Sequence, residues 1–339
     1  MQDQNRNLIL ATALSFLVIL VWFVLFPPPE PATDPNAPAV VTAQDGASGV
    51  DMAALPPAAG GEAAIAPDAD TATAVALTEA ARLQIETPEL EGSISLIGGR
   101  IDDLSLRAYS ETIDEDSPMV RLLSPVGSLE PYYALYGWAP GGELAFEDVP
   151  GANTEWSVES GETLTPETPV TLAWDNGNGL IFRRTITIDA NFMFSVTQSV
   201  ENTGAGAARL APYGIVARHG LPDDLQNFFI LHEGVVRKVD GQLDEISYSD
   251  IPDLDVVQRE GAAAEVIDVV ANGWIGFTDK YWMTTLIPGA DQPFTSVTKY
   301  VAAADIYQTE ARLPAMTVEP GQSVEVSTQL FAGAKEWET

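Results

Sequence analysis

Two hydrophobic patterns divide the chain. From residue 8 to residue 26 the side chains are apolar almost without interruption, in the run LILATALSFLVILVWFVLF, which carries no charge. From Ile85 onwards, apolar and polar residues alternate in short runs that are separated by Gly, Pro, Asn and Asp. The first pattern predicts one long helix, and the second predicts β-strands with one face turned to a core.

The apolar run from Leu8 to Phe26, which includes Trp22, is long enough to cross a membrane. As a helix it rises about 28 Å, close to the hydrocarbon thickness of a bilayer. A helix also satisfies its own backbone hydrogen bonds, as lipid requires, and the three prolines that follow end it. We therefore predict a transmembrane helix over residues 8–26. A cleaved secretory signal is the alternative, although the apolar core of a signal is usually about 7–15 residues.

The distribution of basic residues predicts how this helix is oriented. Arg6 precedes the apolar run, and the next Lys or Arg is Arg82. Because basic flanks are retained in the cytoplasm, residues 1–7 are expected in the cytoplasm and the rest of the chain on the opposite side of the membrane.

Residues 27–82 have the composition of a spacer. They are rich in Ala and Pro, carry scattered acids and show no sustained periodicity, so they cannot bury enough apolar surface to offset the entropy of ordering. We expect a disordered linker here, with a weak helix over 75–83 leading into a domain that spans residues 83–336.

The domain is predicted to be mainly β. Apolar residues alternate with polar ones over 182–188, a turn follows at 189–191, and the alternation resumes from residue 192; this is the clearest hairpin. A second hairpin is expected around Gly98 and Gly99, and later strands at 294–301, 306–313 and 323–331. Alternation of this kind is typical of antiparallel sheets with one solvated face, so we predict a large antiparallel β-sandwich.

Charge and cysteine content exclude several functions. The formal net charge is −33 and the chain contains no Cys. A surface this acidic repels nucleic acid phosphates, so no nucleic-acid partner is expected. Without Cys, the domain has no disulfide, thiol nucleophile or Cys metal site. Phosphate-binding loops and hydrolase elbows are also missing from the sequence, and no cofactor is indicated.

Two histidines are the only candidates for acid–base chemistry. His219 and His232 lie near Asp223, Asp224 and Glu233, which could form an acid–base pair or bind a metal. The helical zinc motif fails because Val236 stands where the second His is required. Structural or surface roles are therefore the simpler interpretation.

Aromatic residues also cluster in the early part of the domain. Tyr132, Tyr133, Tyr136 and Trp138 could line a sugar-binding cleft, but such a cluster more often packs in a core.

One segment resembles a known family. Residues 272–288 read NGWIGFTDKYWMTTLIP, similar to the GWIG-TDKYW-LIP signature in the periplasmic domain of YidC-type membrane protein insertases. The N-terminal run, the segment 85–106 and LFAGAKE at 330–336 resemble other parts of the family in the same order. The signature residues are Gly273, Trp274, Asp279, Lys280, Tyr281 and Trp282.

The resemblance implies a fold and a role. It implies a β-supersandwich similar to galactose mutarotases, with a helix near the C-terminal end. The implied role is to insert and fold nascent inner-membrane proteins, alone or with the Sec translocon and its accessory subunits. It also places the chain in a bacterial inner membrane, with the domain in the periplasm and no metal or nucleotide required.

The resemblance also implies which part of an insertase this chain supplies. In the family, five further membrane helices form the groove that inserts clients, and residues 337–339 would lead towards them. We therefore expect an anchor and a periplasmic interaction domain, and no catalytic residue. Two alternatives stay open: a membrane-tethered enzyme of mutarotase type, and an anchored periplasmic scaffold.

The signature has two interpretations in physical terms. Trp274, Tyr281 and Trp282 are large groups suited to burial, while Asp279 and Lys280 can pair or cap a turn. A packing motif near the end of the domain is the first interpretation, and a partner-binding surface is the second.

Overall fold

The computed structural model describes residues 80–114, 116–222, 225 and 231–335. The predicted transmembrane helix, with Leu8, Trp22 and Phe26, and most of the linker lie outside these residues. Within the described part of the chain, no helix has the length and apolar character needed to cross a membrane.

The described residues form two β-sheets and two short 3₁₀ helices. In chain order the strands are β1 (Arg82–Glu86), β2 (Leu90–Ser95), β3 (Arg100–Ser110), β4 (Met119–Leu123), β5 (Tyr132–Gly141), β6 (Ser157–Ser160), β7 (Thr163–Leu164), β8 (Val170–Asp175), β9 (Leu180–Ile188), β10 (Met193–Asn202), β11 (Ala208–His219), β12 (Gly234–Val239), β13 (Gln242–Ser247), β14 (Val256–Val257), β15 (Ala262–Val269), β16 (Trp274–Thr278), β17 (Trp282–Pro288), β18 (Phe294–Val301), β19 (Ile306–Arg312), β20 (Met316–Val318) and β21 (Ser323–Ala334). The 3₁₀ helices span Phe146–Asp148 and Ile251–Asp253.

The two sheets follow distinct strand orders. The first sheet runs β14-β15-β18-β19-β11-β5-β3-β2-β1-β7, with β20 beside β11 and β4 beside β3. The second runs β13-β12-β16-β17-β21-β10-β9-β8-β6. Described neighbours are antiparallel, apart from the short parallel pair β1–β7. The predicted mainly β, antiparallel supersandwich is confirmed.

The predicted hairpin at 182–196 is confirmed as β9 and β10. Buried residues alternate with half-buried or exposed ones along both strands, and Phe194 pairs with Ile188 next to the turn. The Asp189 side chain closes that turn, because its Oδ1 accepts hydrogen bonds from the backbone N–H groups of Asn191 (2.8 Å) and Met193 (3.0 Å).

The predicted hairpin at Gly98 and Gly99 is confirmed as β2 and β3. Both glycines have positive φ, 73° and 59°, which residues with a Cβ rarely adopt. A Cβ on Gly99 would also collide with the buried Arg184 guanidinium.

The main core combines residues of both sheets. Tyr136 and Trp138 of β5 share this apolar cluster with Phe182 of β9, Phe194 of β10 and Leu286 of β17. A second apolar cluster includes the alternate residues of β5 and β11, and its members from these strands and β19 are Tyr133, Leu135, Ala139, Ala211, Tyr213, Ile215, Ala217 and Ile306. Strands β5 and β11 are therefore buried on both faces, and the aromatic cluster of β5 belongs to the core.

Two expected helices are corrected. The helix expected over 75–83 is wrong at its end, because β1 begins at Arg82 and pairs with β2, with Leu83 opposite Ile94. The family resemblance implied a helix near the C-terminal end, but β21 continues to Ala334, and the described residues there contain none.

Candidate functional site

A cleft brings part of the family signature together with one of the two histidines. This signature cleft has a volume of about 530 Å³. It is bounded by β4, by the ends of β3 and β11, by the start of β5, and by the turn between β16 and β17. Its lining residues are Ser110, Glu111, Val120, Arg121, Leu122, Ser124, Glu130, Tyr132, Arg218, His219, Leu221, Pro222, Asp279, Tyr281 and Trp282.

A buried ion pair lies in the wall of the signature cleft. Arg218 Nη2 donates to Asp279 Oδ2 at 2.6 Å, and both side chains are largely buried. The Tyr248 hydroxyl donates to Asp279 Oδ1 at 3.1 Å, while the Arg218 guanidinium stacks over the Tyr132 ring at 4.0 Å. Burial alone lowers the pKa of Arg218, but the Asp279 carboxylate outweighs it, so the pKa lies above its ordinary value.

The same aspartate is tied to the end of β21. The Lys335 ammonium donates to the Asp279 carbonyl oxygen and to Thr278 Oγ1, at 3.0 Å for the latter. The Lys335 N–H also donates to the Tyr281 carbonyl oxygen at 2.9 Å. Contacts from β11 and from the end of β21 therefore converge on the signature turn, which fixes its position.

His219 sits at the edge of the cleft in an environment that disfavours its charged form. Its Nε2 lies 3.4 Å from the Tyr133 hydroxyl. Burial, together with the nearby Arg100 charge, lowers the pKa of His219 to about 4 against the opposing charge of Asp305. His219 is therefore neutral at physiological pH.

The described candidates for acid–base chemistry, His232 and Glu233, do not converge on His219. His232 lies outside the cleft lining, with its Nε2 2.8 Å from the Val235 carbonyl oxygen. Glu233 is buried and also absent from the lining. Asp223 and Asp224 lie outside the described residues. The described residues hold no group of three or more His, Asp or Glu side chains arranged for a metal ion.

The signature residues divide between the core and the surface. Gly273 is buried, and a Cβ there would lie 2.5 Å from Val269 Cγ1 and 2.8 Å from the Lys238 carbonyl oxygen. Trp282 is partly buried, with its ring edge-on to Tyr109 at 5.1 Å. By contrast, Tyr281 is 55% exposed, and Lys280 Nζ lies 4.8 Å from its ring centroid.

Half-buried Trp274 begins β16 and pairs with Lys238. The turn thus combines packed residues with an exposed tyrosine and a half-buried lysine beside it, so it has features of both interpretations of the signature.

The partners of Asp279 differ from the one that the sequence suggests. Lys280 is the adjacent candidate, whereas Arg218, Tyr248 and Lys335 hold the aspartate. These residues lie 31 to 61 positions away in the sequence, and no local motif connects them. Arg218 is adjacent to His219 in the segment RHGLPDD, where the histidine and the acids are the residues that indicate acid–base chemistry.

The chain is similar to a known domain family and, over its whole length, to two curated proteins. The family model of the YidC periplasmic domain matches residues 82–339. A protein named membrane protein insertase YidC from Jannaschia sp. (strain CCS1) is 66% identical, over 100% of this chain and 54% of its own length. One of the same name from Dinoroseobacter shibae is 67% identical, over 100% of this chain and 55% of its own length. The chain spans about half the length of these curated relatives.

Solved structures with a similar arrangement are distant in sequence. A galactose mutarotase-like protein from Lactobacillus casei has a TM-score of 0.42 and 12% identity, and covers 74% of this chain and 100% of its own. An α-galactosidase from Geobacillus stearothermophilus has a TM-score of 0.40 and 9% identity, and covers 75% of this chain and 41% of its own. With the family model matched from the first strand onwards, the chain belongs to the YidC periplasmic domain family.

Proposed function

We propose that this chain supplies the membrane anchor and the periplasmic interaction domain of a membrane protein insertase. The observation that carries the proposal is the match over the whole of this chain, at 66% and 67% identity, to proteins named membrane protein insertase YidC. In this role the complete protein inserts and folds nascent inner-membrane proteins, alone or with the Sec translocon, and the insertion step belongs to regions outside these residues.

The anchor and the domain have separate tasks in this proposal. Residues 8–26 hold the chain in the bacterial inner membrane, with residues 1–7 in the cytoplasm and the β-domain in the periplasm. The domain contacts accessory subunits of the Sec translocon. The exposed Tyr281 supports the signature turn as a contact point, because the buried Asp279 fixes the turn while Tyr281 faces solvent and half-buried Lys280 lies beside its ring.

The mutarotase-type alternative receives less support. The relatives are named as insertases, and Arg218 already neutralises the Asp279 carboxylate in the signature cleft. His219 lines the signature cleft without Glu233, one of the acids that could have completed an acid–base pair with it.

A complementation experiment tests the insertase assignment. Cells depleted of their own insertase would receive one of the longer relatives, with its matching half replaced by this chain, or this chain alone. The chimera should restore insertion of a Sec-independent membrane protein, and the chain alone should not. Failure of a stably expressed chimera, or rescue by the chain alone, would contradict the proposal.

Site-specific crosslinking tests the Sec contact. A photo-reactive residue replaces Tyr281 in the chimera, and the matched control replaces Val158, which is 41% exposed on the edge strand β6. Crosslinks to Sec accessory subunits are expected from position 281 only. Equal yields from both positions would remove the signature turn as the contact point.

A further inference from the structure

A second groove lies on the face of the first sheet that carries the second apolar cluster. It has a volume of about 710 Å³ and includes Ala139, Ala211 and Tyr213 of that cluster. Three arginines line it: Arg209 of β11, Arg312 of β19, and Arg259 from the turn between β14 and β15. We call it the arginine groove.

Two of these arginines differ from all others in the described residues. The side chains of Arg209 and Arg259 make no ion pair and no hydrogen bond within that part of the chain. Every other described arginine contacts a carboxylate or donates to a carbonyl oxygen: Arg82, Arg100, Arg107, Arg121, Arg183, Arg184, Arg218, Arg237 and Arg312. Both guanidinium groups without a partner therefore lie on the same groove.

Two acids next to the groove already form ion pairs with other basic residues. Glu310 accepts from Lys299 Nζ and from Arg312 Nε, both at 2.5 Å, and Glu260 accepts from Arg312 Nη2 at 2.6 Å. Burial raises the pKa of Glu260, but the hydrogen bond and charge of Arg312 outweigh burial and hold it below the ordinary value. These two acids and two bases form a neutral network.

The remaining charges leave the arginine groove positive. Besides Glu260, the groove lining contains one acid, Asp268, which accepts a hydrogen bond from Thr295 Oγ1 at 2.9 Å. The whole chain has a formal net charge of −33, so the groove has the opposite charge to the chain as a whole. Charge complementarity favours a carboxylate-bearing occupant, since guanidinium groups bind carboxylates through paired hydrogen bonds.

The edge of the sheet indicates the form of that occupant. Strand β14 borders the groove through Val257, has only two residues, and pairs with β15 on one side. An edge strand presents unpaired backbone groups, and extended polypeptides bind such edges. Two valines that line the groove, Val266 and Val270, are 41% and 71% exposed, which favours apolar side chains next to the carboxylates.

We propose that the arginine groove binds an extended, acidic segment of a partner polypeptide. Its carboxylates pair with Arg209 and Arg259, and its apolar side chains cover Val266 and Val270. This inference is independent of the insertase assignment, because it depends only on the charge, exposure and edge position of the described residues.

Peptide binding to the full chain in detergent tests the proposal. The probe is a short fluorescein-labelled peptide in which Asp and Glu alternate with Val, and the matched probe has Asn and Gln in place of the acids. The test variant is R209Q/R259Q. The control variant, R107Q/R183Q, removes the same charge from partly exposed arginines outside the groove.

The acidic peptide should bind the wild-type chain saturably, and R209Q/R259Q should weaken it at least about tenfold, because two charge-assisted contacts are lost. The control variant should change the affinity less than about twofold. The proposal is overturned by equal binding of the neutral peptide, by unchanged affinity in R209Q/R259Q, or by absence of saturable binding. Displacement of the peptide by free glutamate at equal concentration would identify a small-carboxylate site and overturn the polypeptide assignment.

Discussion

Replacing Asp279 with Asn isolates the contribution of the buried ion pair beneath the signature turn. Asn keeps the shape of the side chain and can still accept the hydrogen bond from Tyr248, which donates to Oδ1 at 3.1 Å. The substitution removes the negative charge that neutralises Arg218, whose side chain is only 12% exposed. The variant therefore leaves a buried guanidinium without its counter-ion while changing the packing little.

The expected loss of stability follows from that uncompensated charge. Breaking a buried ion pair by removing one partner costs about 3–5 kcal/mol. Since Arg218 keeps limited contact with solvent and stacks on the Tyr132 ring, we expect the lower end of that range, about 3 kcal/mol. With a denaturant slope of about 3 kcal/mol/M for a domain of this size, the urea midpoint falls by about 1 M.

Urea unfolding of the full chain in detergent, followed by tryptophan fluorescence, measures this loss. The matched control is Glu91→Gln, which breaks an exposed ion pair with Arg107 at 3.4 Å and should cost less than about 1 kcal/mol. In a double-mutant cycle, R218M should recover at least about 1 kcal/mol of the loss in D279N. Equal effects of D279N and E91Q would refute the reasoning.

Two further predictions concern a titrating residue and a packed glycine. The pKa of His219 is about 4 in the folded domain against an ordinary 6.5, so the unfolded chain binds the proton first. The free energy of unfolding should then fall by about 2–3 kcal/mol as pH drops from 6.5 to 4. H219Q should make the free energy of unfolding, measured by urea unfolding, less dependent on pH between 6.5 and 4. An unchanged pH dependence in H219Q, or an equal reduction in H232Q, would argue against His219 as the titrating group. Gly273→Ala should cost about 1–3 kcal/mol by overpacking, whereas Gly206→Ala, which has open space, should stay within about 0.5 kcal/mol in the same assay.

Strands with one buried face were predictable, and strands with two buried faces were harder to recognise. Along β9 and β10, core residues alternate with half-buried or exposed ones, so the pattern in the sequence is the burial pattern itself. All ten residues of β5 are buried, because the main core covers one face and the second apolar cluster covers the other. Its sequence, YYALYGWAPG, therefore shows an aromatic cluster without alternation.

The arginine groove depends on long-range contacts that no local pattern reports. Arg209, Arg259 and Arg312 come from three separate segments of the chain, and the first sheet brings them to one face. Their charges alone do not distinguish them. What distinguishes Arg209 and Arg259 is that Glu260 and Glu310 are bound to Lys299 and Arg312 instead.

The alternation of side chains along a strand predicts part of the environment of Asp279, but not the identity of its partner. Side chains in a strand point to opposite faces at successive positions. If that period is continued one residue past the end of β16 at Thr278, Asp279 falls in phase with the buried residues Ile275 and Phe277, and Lys280 falls out of phase. An aspartate in phase with a core face requires a buried counter-ion, which excludes its neighbour Lys280. Strand period thus predicts that the partner is distant in sequence; only the pairing of β11 with β5 and the approach of the second sheet identify it as Arg218.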